Sequence, residues 1–168
     1  MTEPTGAELL ELTERRADLH AAHLRPAEKR PASSARGVHH VALLSSDVEQ
    51  TIRFYQDVLE FPLTDLFENR DYKGSSHFFF DIGNGNGLAF FDLPGVDVGQ
   101  YAEVLGGLHH LAISVEPERW AHLRHKLDEA DVPYQLESGS SIYFRDPDGA
   151  RLELIRDPLG EMYGASVL

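Results

Sequence analysis

The stretch His109-His-Leu-Ala-Ile-Ser-Val115 decides the fold, because a near copy of it, His39-His-Val-Ala-Leu-Leu-Ser45, occurs earlier in the chain. Both stretches are short apolar runs with the composition of a β-strand. Each is followed by a residue that favours the start of a helix, Asp47 after the first and Pro117 after the second. Self-similarity within a chain indicates architecture more strongly than any single motif. The sequence therefore predicts one structural unit that is used twice.

The elements around these two stretches follow the same order in each half. In the first half the pattern predicts a helix over 48–59 and strands near 62–69, 76–82 and 88–93. In the second half it predicts a helix over 117–130 and strands at 134–137, 141–145 and 151–155. The predicted fold class is therefore α+β, with two tandem βαβββ modules.

Three blocks of the first half align with blocks of the second half. The aligned pairs are His39–Leu43 with His109–Ile113, Ser75–Asp81 with Ser140–Asp146, and Ala89–Phe91 with Glu153–Ile155. Their offsets are 70, 65 and 64 residues, which is nearly constant. This alignment places Phe78 at the position of Tyr143, and Ala89 at the position of Glu153.

The repeat leaves a segment outside it at each end. Leucines at three- and four-residue steps predict an amphipathic helix from Thr5 to about Leu24, and the proline-containing stretch 25–36 is predicted to be a linker. The N-terminal arm is predicted to cover part of the main domain or a neighbouring subunit. The predicted domains are an N-terminal helix and linker over 1–36, a repeat domain over 37–157 with modules 37–95 and 107–157, and a tail over 158–168.

Composition and charge exclude several classes of function. The chain has 15 lysines and arginines against 28 aspartates and glutamates, so its formal net charge is −13 and its pI is about 5.0. This surplus repels nucleic-acid phosphates and anionic lipid surfaces, so neither is an expected partner. The chain has no cysteine, so any metal must be held by His, Asp or Glu. It has no apolar run near the roughly 20 residues of a membrane span and no signal-peptide pattern, so we expect a cytoplasmic protein.

The repeated unit resembles a known superfamily. Each unit opens with His-His, and the second closes with Asp146-Pro-Asp-Gly-Ala-Arg-Leu-Glu-Leu154. Over residues 37–157 this pattern is similar to the vicinal oxygen chelate superfamily of glyoxalase, bleomycin-resistance and extradiol-dioxygenase proteins. The resemblance implies that the two modules pair into a cupped mixed sheet that holds a divalent metal. It also implies that His40, His110 and Glu153 are the metal ligands.

The implied ligand set leaves the metal partly open. Two imidazoles and one carboxylate occupy one face of an octahedral metal and leave adjacent positions for substrate and dioxygen. Neighbouring side chains in a strand face opposite sides, so His39 and His109 are expected to be bystanders. The resemblance to glyoxalase I implies a fourth ligand where this chain has Ala89, which cannot bind metal. The three remaining positions resemble the ligand sets of type I extradiol dioxygenases and fosfomycin-resistance proteins, and this resemblance implies Fe(II), with Mn(II) next, over Zn(II) or Ni(II).

Tyr143 lies ten residues before Glu153, with the turn Asp146-Pro-Asp-Gly149 between them. The resemblance to extradiol dioxygenases implies that this tyrosine hydrogen-bonds a metal-bound catecholate, although an aromatic residue on a central strand equally fits a core role. The second-sphere histidines of that family are not evident here, so the proton-transferring base stays open. His77 aligns with Ile142, next to Tyr143, so it is expected to face away from the cup.

These features together predict a metal-dependent extradiol ring-cleaving dioxygenase, with an aromatic diol bound through both oxygens to Fe(II) and dioxygen as the second substrate. One alternative is a metal-dependent glyoxalase, epimerase or fosfomycin-resistance-type enzyme, for which Arg145 and Arg151 are the candidate contacts to an anionic substrate. The other is a metal-free drug-binding protein of the bleomycin-resistance type, with which the negative charge is compatible. The resemblance also implies a homodimer.

Overall fold

The computed structural model describes residues 4–168. These residues form two compact units, with the boundary between Arg36 and Gly37. The first unit contains helix α1 (Gly6–His23) and one 3₁₀ turn (Ala27–Lys29). None of the side chains of α1 is buried. None of the described helices is both long enough and apolar enough to cross a membrane.

The first module of the second unit is a four-stranded mixed sheet with one helix. Asp47 caps this helix as predicted, because its Oδ1 accepts a hydrogen bond from the backbone N–H of Gln50 at 3.0 Å. The strand order is β1-β4-β3-β2, with β1 parallel to β4 and the other pairs antiparallel. The elements are β1 (His40–Leu44), α2 (Val48–Arg53), a π-helical turn (Phe54–Val58), β2 (Leu63–Glu68), β3 (Ser76–Asp81) and β4 (Gly87–Phe91).

The second module has the same topology. Its strand order is β5-β8-β7-β6, again with one parallel pair, β5 with β8. The predicted α+β fold of two βαβββ modules is therefore confirmed. A short hairpin at 161–166, where the sequence predicts only a tail, follows the module. The elements are β5 (Leu111–Ser114), α3 (Pro117–Glu129), β6 (Tyr134–Glu137), β7 (Ser141–Arg145), β8 (Arg151–Ile155), β9 (Glu161–Met162) and β10 (Ala165–Ser166).

One face of each sheet packs into a shared hydrophobic core. Tyr55 is fully buried in this core, and its hydroxyl donates a hydrogen bond to Oδ2 of Asp146 in the other module at 3.0 Å. Because side chains alternate along a strand, the opposite face of each sheet is left outside the core. The large, fully buried side chains come from both sheets and from the helices: Tyr55, Leu59, Phe78, Phe80, Leu88, Phe90, Leu123, Leu127, Ile142, Leu152 and Leu154.

Strand pairing corrects the sequence alignment of the two halves by one residue. Phe79 pairs with Ala89 in the first sheet, and Tyr143 pairs with Glu153 in the second. The β3–β4 and β7–β8 connections have the same length, so a single offset of 64 residues holds across both hairpins. The sequence alignment matched Ser75-Ser76 with Ser140-Ser141, and this match gave β3 an offset of 65 residues instead of 64. Phe79, and not Phe78 as the alignment predicts, therefore occupies the position of Tyr143.

Each module leaves the edge that carries its first strand open. Among the described strands, β1 pairs only with β4, and β5 pairs only with β8. His40 is the first residue of β1, and His110 directly precedes β5. Both predicted histidine ligands therefore lie at the beginning of an edge strand with unpaired backbone groups.

Candidate metal centre

The second module brings two of the three predicted ligands together. Nε2 of His110 lies 3.1 Å from Oε2 of Glu153. Glu153 is only 5% exposed, and its other oxygen, Oε1, accepts a hydrogen bond from the hydroxyl of Ser141 at 2.5 Å. A buried carboxylate that is fixed on one oxygen and faces an imidazole with the other is oriented for metal binding. We call His110 and Glu153 the half-site.

Tyr143, for which the sequence leaves a catalytic and a core role open, lies against the half-site. It pairs with Glu153 across β7 and β8, and its ring meets the ring of His110 edge-on, with 5.5 Å between centroids. Burial, followed by the hydrogen bond to Glu153 and the charge of that carboxylate, raises the pKa of Tyr143 to about 12. The phenol therefore keeps its proton at neutral pH and is a hydrogen-bond donor.

His109, predicted to be a bystander, belongs to a polar chain that ends at the half-site. Its Nδ1 lies 2.7 Å from Nδ1 of His110, and its Nε2 lies 3.4 Å from Nη1 of Arg151 and 3.6 Å from a carboxylate oxygen of Glu103. A neutral imidazole has one N–H, so the proton position on His109 constrains the proton position on His110. His109 therefore helps to set which nitrogen of His110 is free to bind a metal. That His109 is not itself a ligand stays a prediction, and its side chain is 63% exposed.

His40, the ligand predicted in the first module, is exposed at the start of β1. Its ring lies 5.9 Å from the ring of Phe79, centroid to centroid, and its Nδ1 lies 2.8 Å from Nδ1 of His39. The paired histidines of both modules thus share the same contact between Nδ1 atoms. His39 bears the same relation to His40 as His109 does to His110.

His77 lies on the same face of the first sheet as His40 and Phe79. Its ring stacks on Phe91, with 3.9 Å between centroids, and lies 4.3 Å from Phe79 and 5.3 Å from Phe67. The prediction that His77 faces away from the cup is wrong, because it followed from the misaligned register. Strand pairing makes its counterpart in the second module the serine that holds Glu153.

The surroundings of His77 are unusual for an imidazole. Its Nε2 is buried and has no hydrogen-bond partner among residues 4–168. Burial, and secondarily the charge of His40, lowers the pKa of His77. The ring is therefore held as a neutral, largely aromatic surface. The corresponding face of the first module is an aromatic wall, formed by Phe67, His77, Phe79 and Phe91.

The predicted three-ligand set is not assembled within one chain. In the part of the chain that the structure describes, no three His, Asp or Glu side chains come together as a metal site. The half-site fits a divalent metal by its donors, an imidazole nitrogen and an oriented carboxylate, which suit iron, manganese and zinc. His40 does not join it, since it lies on the other sheet. One chain therefore presents two of the predicted ligands on one module and the third on the other.

The fold and this half-site define a protein of paired βαβββ modules with a histidine and carboxylate centre. A family model described as Glyoxalase/Bleomycin resistance protein/Dioxygenase superfamily matches residues 37–154, and the chain belongs to that superfamily. A solved glyoxylase/bleomycin resistance protein/dioxygenase domain from Frankia sp. EAN1pec has the same fold, with a TM-score of 0.65 and 23% identity. That likeness covers 76% of this chain and 96% of the Frankia chain.

Two similar proteins of the superfamily have different enzyme names. The putative ring-cleaving dioxygenase MhqA of Bacillus subtilis (strain 168) is 27% identical over 139 residues, which is 78% of this chain and 43% of MhqA. The metallothiol transferase FosB of Shouchella clausii (strain KSM-K16) is 32% identical over 133 residues, which is 74% of this chain and 83% of FosB. The chain therefore spans less than half the length of the dioxygenase relative and most of the length of the transferase.

Proposed function

We propose that this protein is an extradiol ring-cleaving dioxygenase that acts on an aromatic diol. The observation that carries the proposal is the cluster of Tyr143, His110 and Glu153, in which a protonated phenol lies beside two oriented metal ligands. The aromatic wall of the first module adds a flat apolar surface that suits a ring. The match to a putative ring-cleaving dioxygenase supports the same reaction class.

The metal in this proposal is Fe(II), with Mn(II) as the next choice. His110 and Glu153 would hold it together with a second imidazole, a ligand set that leaves adjacent positions free. When bound, the metal supplies neighbouring positions for the two diol oxygens and for dioxygen, and a route for electrons between them. A half-site with a single carboxylate favours this three-ligand arrangement over a four-ligand one.

The protein side chains then bind and orient the diol. The phenol of Tyr143 donates a hydrogen bond to a diol oxygen, because its raised pKa keeps the proton in place. The aromatic wall packs against the ring and excludes water. Ser141 keeps the Glu153 carboxylate in one orientation, so the ligand does not have to reorganise when substrate binds.

We propose that the third ligand is His40 of the partner subunit. The open edge of β1 and the open edge of β5 each begin at a predicted histidine ligand. If β1 of one copy lies along β5 of another, His40 is brought to the half-site, and the exposed backbone of both edges is covered. A symmetric dimer makes this contact twice and forms two equal cups. The homodimer is thus required by the metal site.

Oxygen uptake by iron-loaded, anaerobically prepared protein tests the reaction. We expect oxygen consumption together with a yellow ring-cleavage product for at least one member of a catechol panel. His110→Ala is expected to lose both metal and activity, whereas Tyr143→Phe is expected to keep metal and lose most activity. Iron-loaded wild type that consumes no oxygen and forms no ring-cleavage product with any catechol contradicts ring cleavage.

The second candidate is a thiol transfer to an oxygen-chelating substrate at the same centre. It is favoured by the match to FosB, which covers 83% of that protein. This reaction consumes no dioxygen, so oxygen uptake separates the two candidates directly. If a thiol and an oxygen-chelating phosphonate are consumed together, only in the presence of metal and without oxygen uptake, the second candidate is established instead of the first.

A further inference from the structure

Two arginines stand opposite each other beside the half-site. Arg145 on β7 pairs with Arg151 on β8, two residues along the hairpin from the pair formed by Tyr143 and Glu153. Because alternate residues of a strand share a face, all four side chains belong to the same face of the second sheet. Like charges directly opposite each other destabilise a sheet. An arginine pair at this position therefore calls for a compensating negative group.

The protein itself provides little compensation. Arg145 forms no ion pair with the described carboxylates, and its Nη1 donates instead to the carbonyl of Gly149 at 2.7 Å. Its guanidinium lies 5.5 Å from the ring centroid of Tyr101. Arg151 has one carboxylate neighbour, Glu103, at 3.8 Å. This is a long ion pair, so the two guanidinium groups keep donors available for another anion.

Both arginines line an open cavity. The cavity has a volume of about 550 Å³, and Gln135, Tyr143, Arg145 and Arg151 all contribute to its wall. The guanidinium of Arg151 also lies over the ring of Tyr143, 4.8 Å from the centroid. The basic pair therefore shares the cavity wall with Tyr143, whose ring also meets that of His110 and which pairs with Glu153.

We infer that the substrate carries an anionic group, a carboxylate or a similar oxyanion, which binds to Arg145 and Arg151 while its oxygen pair binds at the metal centre. This inference rests on the proposed function, since it places the substrate at the half-site. Two residues along a strand separate Glu153 from Arg151, a distance of about 7 Å. One benzene ring with an oxygen pair at one end and a carboxylate at the other spans such a distance. In a chain of net charge −13, an anionic substrate also needs a local cationic site.

Anaerobic calorimetry with the metal-loaded dimer tests the inference by binding alone. The two probes are 3,4-dihydroxybenzoate, which carries the anionic group, and 4-methylcatechol, which replaces it with a neutral group of similar size. We expect wild type to bind the dihydroxybenzoate at least about tenfold more tightly. Arg151→Gln is expected to lower the affinity for 3,4-dihydroxybenzoate by about 10- to 100-fold and the affinity for 4-methylcatechol by less than about twofold.

Further variants separate charge recognition from a structural role. Arg145→Gln is also expected to weaken the binding of 3,4-dihydroxybenzoate and to leave the binding of 4-methylcatechol unchanged. If Arg151→Gln loses metal because it no longer contacts Tyr143, Arg145→Gln is the variant that tests the anion site. Arg53→Gln, at an exposed position on α2, also removes one positive charge and is expected to change the affinity for neither probe. Equal weakening of both probes, or no preference in wild type, overturns the inference.

The outcome also distinguishes this inference from the proposed reaction. A selective loss of dihydroxybenzoate binding in a protein that cleaves no catechol supports the anion site and rejects ring cleavage. Ring cleavage of both probes at equal efficiency, with equal binding, supports the reaction and rejects the anion site.

Discussion

Mixed dimers of two ligand variants test whether two chains share each metal centre. His40→Ala removes the ligand of the first module, and His110→Ala removes a ligand of the second. His40 is exposed and the His110 side chain is 29% exposed, so neither truncation disturbs the shared core. Co-expression with two different affinity tags, followed by purification on both, isolates the heterodimer.

The expected metal content follows from the arrangement of the ligands. In the shared-site heterodimer, one cup combines His40 of the His110→Ala chain with His110 and Glu153 of the His40→Ala chain, so all three predicted ligands are present. The second cup lacks both histidines. We therefore expect about half the wild-type metal content per chain in the heterodimer, and almost none in either variant homodimer.

Metal analysis after dialysis measures this content, and oxygen uptake is expected to follow it at about half the wild-type rate per chain. A dimer of two differently tagged Arg53→Gln chains is the matched control and must keep the wild-type value. If the modules pair within one chain, every cup of the heterodimer lacks one ligand. A heterodimer without metal would therefore refute the shared site.

Four further substitutions have defined outcomes. Tyr143→Phe is expected to lower kcat by about 10- to 100-fold at unchanged metal content, because it removes the hydrogen-bond donor beside the half-site. Tyr55→Phe is expected to lower the free energy of unfolding in urea by about 1 to 3 kcal/mol, because it leaves a buried oxygen of Asp146 without its donor. Burial raises the pKa of Asp146, so wild type should lose stability relative to Asp146→Asn as the pH rises from about 4 through the raised value. The pKa of His77 is lowered, so wild type should lose stability relative to His77→Phe as the pH falls below about 6.5.

The sequence predicts the modules well because their signals are local. The strands at 134–137, 141–145 and 151–155 have the predicted bounds, since alternation and turn residues mark both ends of each. The contact of His110 with Glu153 is consistent with the predicted topology, because His110 directly precedes β5 and Glu153 lies on β8, the strand that pairs with β5. The choice of His110 and Glu153 as ligands came from the resemblance to the superfamily and stays a prediction.

Register and helix geometry needed the structure. The orientation of His77 depended on an offset of one residue, and a slip of one residue turns every side chain to the other face. The helix predicted over 48–59 changes at Phe54 into a π-helical turn, in which the N–H of Leu59 bonds the carbonyl of Phe54 at 3.1 Å. That widened turn accompanies the burial of Tyr55 against both modules, a non-local effect that the periodicity of the segment does not contain.

The two modules have the same fold but opposite chemistry on their free faces. Strand pairing matches Ala89 with Glu153, Phe79 with Tyr143, and His77 with Ser141. In the first module these positions give an apolar, aromatic surface, and in the second they give a carboxylate, a phenol and the hydroxyl that orients the carboxylate. If two second modules faced each other, two acidic half-sites would meet. If two first modules faced each other, each would contribute only one imidazole and no carboxylate. Only a cup with one face of each kind joins a complete ligand set to an apolar wall, so the asymmetry of the repeat itself favours the pairing of unlike modules.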